Sequence, residues 1–271
     1  MHFDNDINAF IMFKIVEKEH FSENVVKLVI EAPMIARSRR AGHFVIVRAC
    51  EGGERIPLTI ADSDIERGTI TLVIQAIGVS TQKICALNEG ECLADVVGPL
   101  GQATHIANVG TVVCCGGGVG VAPLMPIIKA MKQAGNRVVT VLAARTKDLI
   151  ILEDQVRPYS DEVIIMTDDG SYGRKGLVTD GVKEVIEREK VDQVVTIGPA
   201  IMMKFVAKLT KEYEVPTMCS LNTIMVDGTG MCGACRVTVD GKTKFVCIDG
   251  PEFDAHKVDF DEMMMRLRSY N

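Results

Sequence analysis

The sequence predicts three consecutive units: an antiparallel β domain, an α/β domain with a doubly wound parallel sheet, and a small C-terminal module. Three observations predict this order. Short β-rich segments separated by Gly, Pro and Asp occupy the N-terminal part, strand and helix patterns alternate from residue 108 onward, and three cysteines follow near the C-terminus. A chain of 271 residues is long enough for two domains with separate hydrophobic cores. We place the units at residues 1–104, 105–218 and 219–271.

The composition is typical of a soluble globular protein, with 47% hydrophobic and 24% charged residues. A net charge of −6 without a basic stripe argues against nucleic acid as a partner. Nine cysteines without a leader peptide indicate a reducing, cytoplasmic compartment. Residues 103–128 are largely apolar but are interrupted by glycines and prolines, so a strand, a glycine turn and a helix explain them better than a membrane span.

The first unit contains four segments with strand character, at residues 10–16, 25–30, 43–48 and 69–77. Regular short strands with turn residues between them are typical of an antiparallel β-barrel or sandwich. The simplest interpretation is a scaffold without a ligand. Three loops favour a ligand site: residues 55–59 combine a cation, a proline and a hydroxyl, residues 78–81 precede a predicted helix at 82–87, and residues 98–101 form a tight turn. The helix start suits a pyrophosphate, although Ser and Thr there are more often simple caps.

The second unit alternates strands and helices. Strands are predicted at residues 110–115, 137–144, 162–166 and 193–197, with helices at 124–134 and 177–189 and a further segment at 152–156. This alternation predicts a doubly wound parallel sheet. A glycine turn at residues 116–120 connects the first strand to the first helix and would let a phosphate approach the helix amides. Tight packing would explain such a turn equally well. Cys114 and Cys115, on the strand, are expected to be core residues.

Three more loops follow predicted strands of the parallel sheet. Arg145 comes after the second strand, Asp169 lies in the loop 167–173, and Met202 lies in the loop 198–202. Each loop alone is rich in ordinary turn residues. Because the carboxyl ends of parallel strands meet at one edge of a sheet, the three loops together favour a dinucleotide site.

The third unit is organised around the pattern Asp-x4-Cys-x2-Cys-x11-Cys, formed by Asp227, Cys232, Cys235 and Cys247. With Cys in place of Asp227 this would be the plant-type ferredoxin pattern that binds a [2Fe–2S] cluster. Alternating residues on either side of 240–241 predict a hairpin that returns Cys247 toward the loop. Zinc binding, unliganded thiols, and Asp227 as a simple turn cap stay open as alternatives. Cys219 is a candidate ligand with the wrong spacing for the pattern.

In this order, the motifs resemble the iron–sulfur branch of the ferredoxin–NADP reductase superfamily. They are Arg-x-Pro-Leu-Thr, Gly-x-Ser-Thr, the glycine turn, Thr-Asp-Asp-Gly-Ser-Tyr-Gly, Gly-Pro-x-x-Met and the cysteine pattern. Two similar families are the dihydroorotate dehydrogenase electron-transfer subunits and the small subunits of NADH-dependent ferredoxin:NADP oxidoreductase, also called sulfide dehydrogenase. The resemblance implies FAD on the β domain, NAD(H), with NADP(H) as an alternative, on the α/β domain, and a [2Fe–2S] cluster beyond both.

The resemblance also implies residues for each cofactor. FAD would contact Arg55, Pro57, Leu58, Thr59, Ile74, Gln75, Gly78, Ser80 and Thr81. The nicotinamide nucleotide would contact Gly116, Gly117, Gly118, Val119, Gly120, Ala122, Pro123, Arg145, Asp169, Gly198, Pro199 and Met202. The metal ligands would be Asp227, Cys232, Cys235 and Cys247. Hydride transfer requires no catalytic acid or base, and His43, His105 and His256 are expected to be surface or turn residues.

The chain departs from the family pattern at three positions. The family arginine usually stands where this chain has Ile56, one position after Arg55. Ile197 replaces the cysteine that often precedes the Gly-Pro pair, so no thiol is expected beside the nicotinamide. Asp227 replaces the first cluster cysteine. That replacement resembles the ferredoxin:NADP oxidoreductase small subunit more than the dihydroorotate dehydrogenase subunit.

The resemblance implies an electron-transfer flavoprotein subunit of an NADH-dependent ferredoxin:NADP oxidoreductase. It would move electrons between NADH, FAD and a [2Fe–2S] cluster in flavin-based electron bifurcation. A larger iron–sulfur flavoprotein subunit would complete a heterodimer and connect it to ferredoxin, with no membrane partner. The alternative is electron transfer to a dihydroorotate dehydrogenase catalytic subunit. A zinc-bearing nucleotide-binding module without redox turnover is a more distant alternative.

Overall fold

The computed structural model describes residues 13–268, so residues 10–12 of the first predicted strand lie outside the described residues. The predicted strands at 25–30, 43–48 and 69–77 are confirmed, and the predicted helix begins three residues earlier than expected, at Val79. The elements of the N-terminal part are β1 (Phe13–Ser22), β2 (Val25–Glu31), α1 (Pro33–Ser38), β3 (Phe44–Arg48), β4 (Ile56–Thr59), β5 (Asp62–Asp64), β6 (Thr69–Gln75), α2 (Val79–Ala86), β7 (Cys92–Leu93) and β8 (Asp95–Leu100).

These strands form two antiparallel sheets, ordered β5-β6-β2-β1-β7 and β4-β3-β8. Because alternate residues of a strand point to one face, the apolar residues of both sheets meet in one core that includes Leu28, Val45 and Leu72. The predicted antiparallel β domain is confirmed, although its described strands form two sheets rather than one closed barrel. Residues 98–101 do not form the predicted tight turn, because pairing with β3 carries β8 on to Leu100.

The elements of the central part alternate as the sequence predicts. They are β9 (Thr111–Gly117), α3 (Val121–Gln133), β10 (Arg137–Ala144), α4 (Glu153–Val156), β11 (Glu162–Thr167), β12 (Arg174–Lys175), α5 (Val178–Arg188), β13 (Gln193–Ile197), α6 (Ala200–Glu212) and β14 (Thr217–Ser220). The sequence patterns did not predict α6 and β14. In α6 the spacing of Met203, Val206, Ala207 and Thr210, all buried, is helical.

The central strands form a parallel sheet with β9 in the middle. β10, β11 and β12 lie on one side of β9, whereas β13 and β14 lie on the other. Valine-rich strands suit this position because helices cover both faces, with α3 on one side and α5 and α6 on the other. The strand order reverses between β9 and β13. Open α/β sheets bind ligands at such a switch point, beyond the carboxyl ends of the strands.

The C-terminal part packs on both preceding parts. Its elements are β15 (Arg236–Val239), β16 (Lys242–Phe245), α7 (Val246–Asp249), β17 (Glu252–Asp254) and α8 (Phe260–Arg268). β17 pairs antiparallel with β14 and extends the central sheet. The predicted hairpin is confirmed as β15 and β16, with Asp240 and Gly241 at φ values of 52° and 68°. Phe44 and Ile46 of β3 share a hydrophobic core with Cys235 and Cys247.

The structure also shows the positions of the cysteines and of His43. Cys114 and Cys115 are fully buried in β9, as predicted. His43, expected at the surface or in a turn, is buried but does lie in a turn: its amide donates a hydrogen bond of 3.2 Å to the Arg40 carbonyl, and its Nδ1 accepts one of 3.1 Å from the Arg40 amide. All nine cysteines lie within the described residues, and none forms a disulfide. In the part of the chain that the structure describes, no helix has the length and apolar character needed to cross a membrane.

Candidate functional site

The glycine turn after β9 lies at the switch point of the parallel sheet. Gly118 has a φ of 55°, a left-handed conformation that suits glycine. A Cβ atom at Gly120 would lie 2.6 Å from the Ile197 carbonyl oxygen and 2.9 Å from the Gly198 Cα. The turn after β9 and the turn after β13 therefore touch backbone to backbone. Only glycine at position 120 allows this contact.

Met202 packs against both turns. A Cβ atom at Gly117 would collide with the Met202 sulfur, and one at Gly198 would lie 2.7 Å from the Met202 Cε. Pro199 is the N-cap of α6, which directs Met202 back toward the glycine turn. The structure thus brings together the predicted nucleotide residues of the two turns. Val119 and Pro123 are half-buried at this turn, whereas Gly116 lies in β9 and the Ala122 side chain is fully buried.

Arg145 and Asp169 follow β10 and β11 at the same sheet edge. The Asp169 amide donates a hydrogen bond of 3.3 Å to the Arg145 carbonyl, and the Arg145 side chain is exposed. The Asp169 carboxylate accepts hydrogen bonds from the Ser171 hydroxyl and amide, at 2.7 and 2.9 Å, which lower the pKa of Asp169. The Asp169 side chain therefore stabilises the turn in which it lies. The same turn holds it beside the backbone of Arg145.

The start of α2 is the predicted anion site of the antiparallel part. The Thr81 hydroxyl accepts hydrogen bonds from the Gly78 and Ile77 amides, at 2.9 and 3.1 Å, and so acts as a helix cap. Ser80 donates a hydrogen bond of 2.5 Å to Glu54. The side chain of Ile74 is buried in the core, so only its backbone could contact a ligand. The neighbouring Gln75 is half-buried.

The strand β4 carries the predicted flavin-edge residues Pro57, Leu58 and Thr59, all half-buried. Pro57 pairs with Ile46 and Thr59 pairs with Phe44, so Pro57 and Thr59 share the face of β3 that packs toward the C-terminal part. On this face, the antiparallel part packs against the central and C-terminal parts. A planar ligand along β4 would therefore lie close to both the sheet edge and the cysteine loop.

Arg55 precedes β4 and binds other parts of the chain. Its Nη1 atom lies 2.5 Å from the Asp95 carboxylate, and its Nε atom donates a hydrogen bond of 3.0 Å to the Val226 carbonyl. Val226 immediately precedes Asp227. Arg55 thus connects the predicted flavin strand to the start of the cysteine loop.

The four predicted metal ligands stand in two pairs. The Cys232 sulfur lies 3.2 Å from Asp227 Oδ1, and the Cys235 sulfur lies 3.2 Å from the Cys247 sulfur. Cys235 and Cys247 are buried, whereas Cys232 is exposed. Burial and the neighbouring Cys235 thiol raise the pKa of Cys247. The predicted loop and hairpin therefore bring the residues of the pattern together.

Glycine allows the loop to hold this shape. Gly228 and Gly230 have φ values of 76° and 84°, in the left-handed region. A Cβ atom at Gly228 would lie 2.7 Å from Leu100 and 2.9 Å from Ile46, and one at Gly230 would lie 2.6 Å from Ile248. The loop is thus packed closely on β3, β8 and α7.

The second carboxylate oxygen of Asp227 organises the loop backbone. Oδ2 accepts hydrogen bonds from the Thr229 hydroxyl at 3.0 Å and from the Met231 and Cys232 amides at 2.9 and 3.2 Å. Burial acts to raise the pKa of Asp227, but these bonds and the Cys232 thiol outweigh it and hold the pKa well below its usual range. Asp227 therefore caps the turn with one oxygen and faces Cys232 with the other.

The pairing fits a [2Fe–2S] cluster better than a single zinc ion. Zinc requires four donors arranged around one point. Among the described residues, no group of three or more His, Cys, Asp or Glu gathers around a single point. A cluster with two irons instead takes two protein ligands on each iron, as the two pairs offer. Cys219 is buried in β14 with its sulfur directed at the Phe253 carbonyl, away from both pairs.

Two family models match this chain. Residues 114–208, which include the glycine turn and Met202, match an oxidoreductase NAD-binding domain. Residues 222–259, which include all four candidate metal ligands, match the iron–sulfur cluster-binding domain of dihydroorotate dehydrogenase B. A homologue of the electron-transfer subunit of NAD-dependent dihydroorotate dehydrogenase B from Thermotoga maritima is 49% identical and covers 95% of this chain and 91% of that protein. The chain belongs to the dihydroorotate dehydrogenase B electron-transfer subunit family.

Other members and structures extend this family assignment. The electron-transfer subunit from Streptococcus pneumoniae serotype 4 is 32% identical, covering 89% of this chain and 97% of that protein. A structure of the NADH-dependent reduced ferredoxin–NADP oxidoreductase, solved in work on flavin-based electron bifurcation, aligns with a TM-score of 0.92 and 46% identity. It covers 98% of this chain and 96% of that one. The predicted ferredoxin–NADP reductase-like fold and oxidoreductase class are confirmed.

The two matched domains contain the candidate nucleotide site and the candidate metal site. Two contacts between the parts of the chain were not predicted from the sequence. The Arg55–Val226 hydrogen bond joins residues 171 positions apart. Glu252 and Thr104 form a hydrogen bond of 2.5 Å between the C-terminal part and the segment after β8. Neither pair has a local sequence signal, because each depends on how the three parts pack.

Proposed function

We propose that this chain is the electron-transfer subunit of an NADH-dependent ferredoxin:NADP oxidoreductase. It moves electrons between NADH, FAD and a [2Fe–2S] cluster, and connects them to a larger iron–sulfur flavoprotein subunit. The observation that carries this proposal is the two-by-two arrangement of Asp227 with Cys232 and of Cys235 with Cys247. The similarity to the ferredoxin–NADP oxidoreductase structure supports it.

The nucleotide site of the proposal is the contact between the two turns at the switch point. At Gly118 a Cβ atom would meet no other atom within 4 Å, so a phosphate can approach this open backbone at the start of α3. Gly117 and Gly120 instead let Met202 and the turn after β13 pack against the glycine turn. Met202 is held against two of the glycine positions and can pack on a flat ring. Arg145 and Asp169 stand beyond them, where an adenosine ribose would lie in a doubly wound sheet. NADH is our choice of nucleotide, and NADPH is the alternative that Arg145 would favour.

The flavin site of the proposal runs along β4 to the start of α2. Pro57, Leu58 and Thr59 would border the ring, and Gly78, Ser80 and Thr81 would receive the pyrophosphate at the helix N-terminus. FAD and the [2Fe–2S] cluster, when bound, supply the exchange between two-electron hydride transfer and single-electron transfer. The chain positions these groups and excludes water from Cys235 and Cys247. No side chain is needed as an acid or base.

The proposal includes the unit boundaries 1–104, 105–218 and 219–271 and a heterodimer with the larger subunit, which reaches ferredoxin through that complex. Electron bifurcation in this complex is part of the same proposal. Nine free cysteines support a reducing, cytoplasmic location.

A second candidate is electron transfer to a dihydroorotate dehydrogenase catalytic subunit. The family model over residues 222–259 and the name of the Streptococcus pneumoniae relative favour it. Asp227 in place of the first cysteine favours the ferredoxin:NADP enzyme instead. A zinc-bearing nucleotide-binding module is a third candidate, which the two ligand pairs disfavour.

The partner decides between the first two candidates. The test is anaerobic native purification from the source cells, followed by mass spectrometry of the co-eluting subunit. A larger subunit with several four-cysteine cluster motifs and a second nicotinamide site supports the proposal. A barrel-type FMN subunit would assign the chain to dihydroorotate oxidation. Stopped-flow reduction of the flavin by each nucleotide tests the cofactor, and faster reduction by NADPH would overturn the choice of NADH.

A further inference from the structure

Arg55 forms two interactions with other parts of the chain. Its guanidinium pairs with Asp95 of β8 at 2.5 Å and donates a hydrogen bond of 3.0 Å to the Val226 carbonyl. The Arg55 and Asp95 side chains are 29% and 27% exposed, so solvent screens this pair only in part. A planar guanidinium can bind a carboxylate and a carbonyl at once, because its donors form a rigid fork.

The residues next to Val226 are fixed to the same sheet. Gly228 packs so closely on Leu100 of β8 and Ile46 of β3 that a Cβ atom would lie within 2.9 Å of both side chains. Asp227 therefore lies between two anchors: the Arg55 hydrogen bond before it and the Gly228 contact after it. The Cys232 sulfur lies 3.2 Å from Asp227 Oδ1 at the end of this anchored segment.

We propose that Arg55 is a positioning residue that holds the Asp227 end of the cysteine loop against the antiparallel part. This inference rests on the proposed cluster site and replaces the flavin contact expected for Arg55. The hydrogen bond fixes the peptide that precedes Asp227, and so the direction of its carboxylate toward Cys232. The same residue borders β4, so it also sets the distance between the loop and the flavin strand.

A neighbouring cation should let the chain fold when Arg55 is replaced. Asp95 is the direct cross-strand partner of Arg48 in β3, and the buried Arg48 Nε atom has no hydrogen-bond partner within the described residues. When Arg55 is removed, Arg48 can therefore take over Asp95. Because the carboxylate is not left without a cation, the fold should tolerate the change.

The experiment compares Arg55→Gln, Arg55→Lys and Asp95→Asn with the wild-type chain, each loaded with iron, sulfide and FAD. Three quantities are measured: FAD per chain, iron retained against a chelator, and the EPR spectrum of the reduced protein. Asp95→Asn is the matched control, since it removes the ion pair but keeps the Arg55 hydrogen bond to Val226. Arg55→Lys keeps the positive charge but lacks the planar guanidinium that can bind a carboxylate and a carbonyl at once.

We expect Arg55→Gln to keep its FAD, to shift its EPR g values, and to lose iron about tenfold more readily, as for the loss of one charge-assisted hydrogen bond. Arg55→Lys should fall between Arg55→Gln and wild type, and Asp95→Asn should match wild type. Loss of FAD with an unchanged cluster spectrum in both Arg55 variants would overturn the inference, as would wild-type behaviour of both. Should Arg55→Gln not fold, the spectrum of Arg55→Lys decides by the same criteria. A wild-type chain that binds no iron would instead refute the proposed cluster function.

Discussion

The substitution Gly120→Ala tests the contact between the two turns at the switch point. The added Cβ atom would meet the Ile197 carbonyl oxygen at 2.6 Å and the Gly198 Cα at 2.9 Å. Both are backbone atoms, so no side-chain rotation can relieve the collision. The backbone at Gly120 has a φ of −62°, which alanine adopts without strain. The effect of the substitution is therefore steric, and the two turns must separate.

The magnitude follows from the cost of overpacking, about 1–3 kcal/mol. If NADH binds in the native crevice, the same free energy is needed to restore it on binding. The affinity for NADH should then fall about 5- to 150-fold. The apparent Tm of the chain should fall by roughly 2–4 °C for each kcal/mol.

The assay is titration of the purified protein with NADH by calorimetry, well below the Tm. Gly181→Ala is the matched control, because its Cβ atom would lie 2.8 Å from Val141 Cγ1 in the core between α5 and the sheet. That variant should lose stability without loss of NADH affinity. Wild-type affinity in Gly120→Ala, or an equal loss in both variants, would refute the placement of the nucleotide.

Three further predictions concern buried polar groups. Burial raises the pKa of Glu252, so the ionised carboxylate destabilises the native state as the pH rises above 4.5. Glu252→Gln should therefore raise the Tm relative to wild type at about pH 8 and give no gain at about pH 5. Burial, followed by the charges of Arg40 and Arg39, lowers the pKa of His43, so stability is complete above 6.5 and is lost as the pH falls below that value. Thermal melts of wild type and His43→Gln should diverge in that acidic range, and parallel curves would contradict the buried neutral ring. The Asn136 side chain accepts from two amides and donates to two carbonyls, so Asn136→Ala should lower the unfolding free energy by several kcal/mol in chemical denaturation, and a change below about 1 kcal/mol would contradict its role.

The sequence predicted the elements whose signals are local. The alternation of valine-rich strands with helices predicted the parallel sheet, and the Asp240-Gly241 dipeptide predicted the hairpin. The spacing from Asp227 to Cys247 predicted which residues would approach one another. These predictions succeeded because residue periodicity and turn chemistry act over short stretches of chain.

The features that the sequence missed depend on packing between distant segments. Helix α6 was not predicted because Gly198 and Pro199, which are typical loop residues, stand directly before its helical spacing. His43 was expected at the surface or in a turn; it lies in a turn, but the packing that buries its ring was not predicted. The protein partners of Arg55, which are Asp95 and Val226, come from remote strands and loops and were not predicted. No local pattern encodes such partners.

The most direct test of the account is whether the cysteine loop carries a cluster that NADH can reduce. Wild type and Asp227→Ala are reconstituted anaerobically with FAD, iron and sulfide, assayed for metal, reduced with NADH and examined by EPR at low temperature. The account predicts about two irons per wild-type chain and a paramagnetic signal that appears on NADH addition. It also predicts that Asp227→Ala has less iron or an altered signal. Bound zinc without a signal in wild type, or an Asp227→Ala protein with unchanged iron content and spectrum, would contradict it.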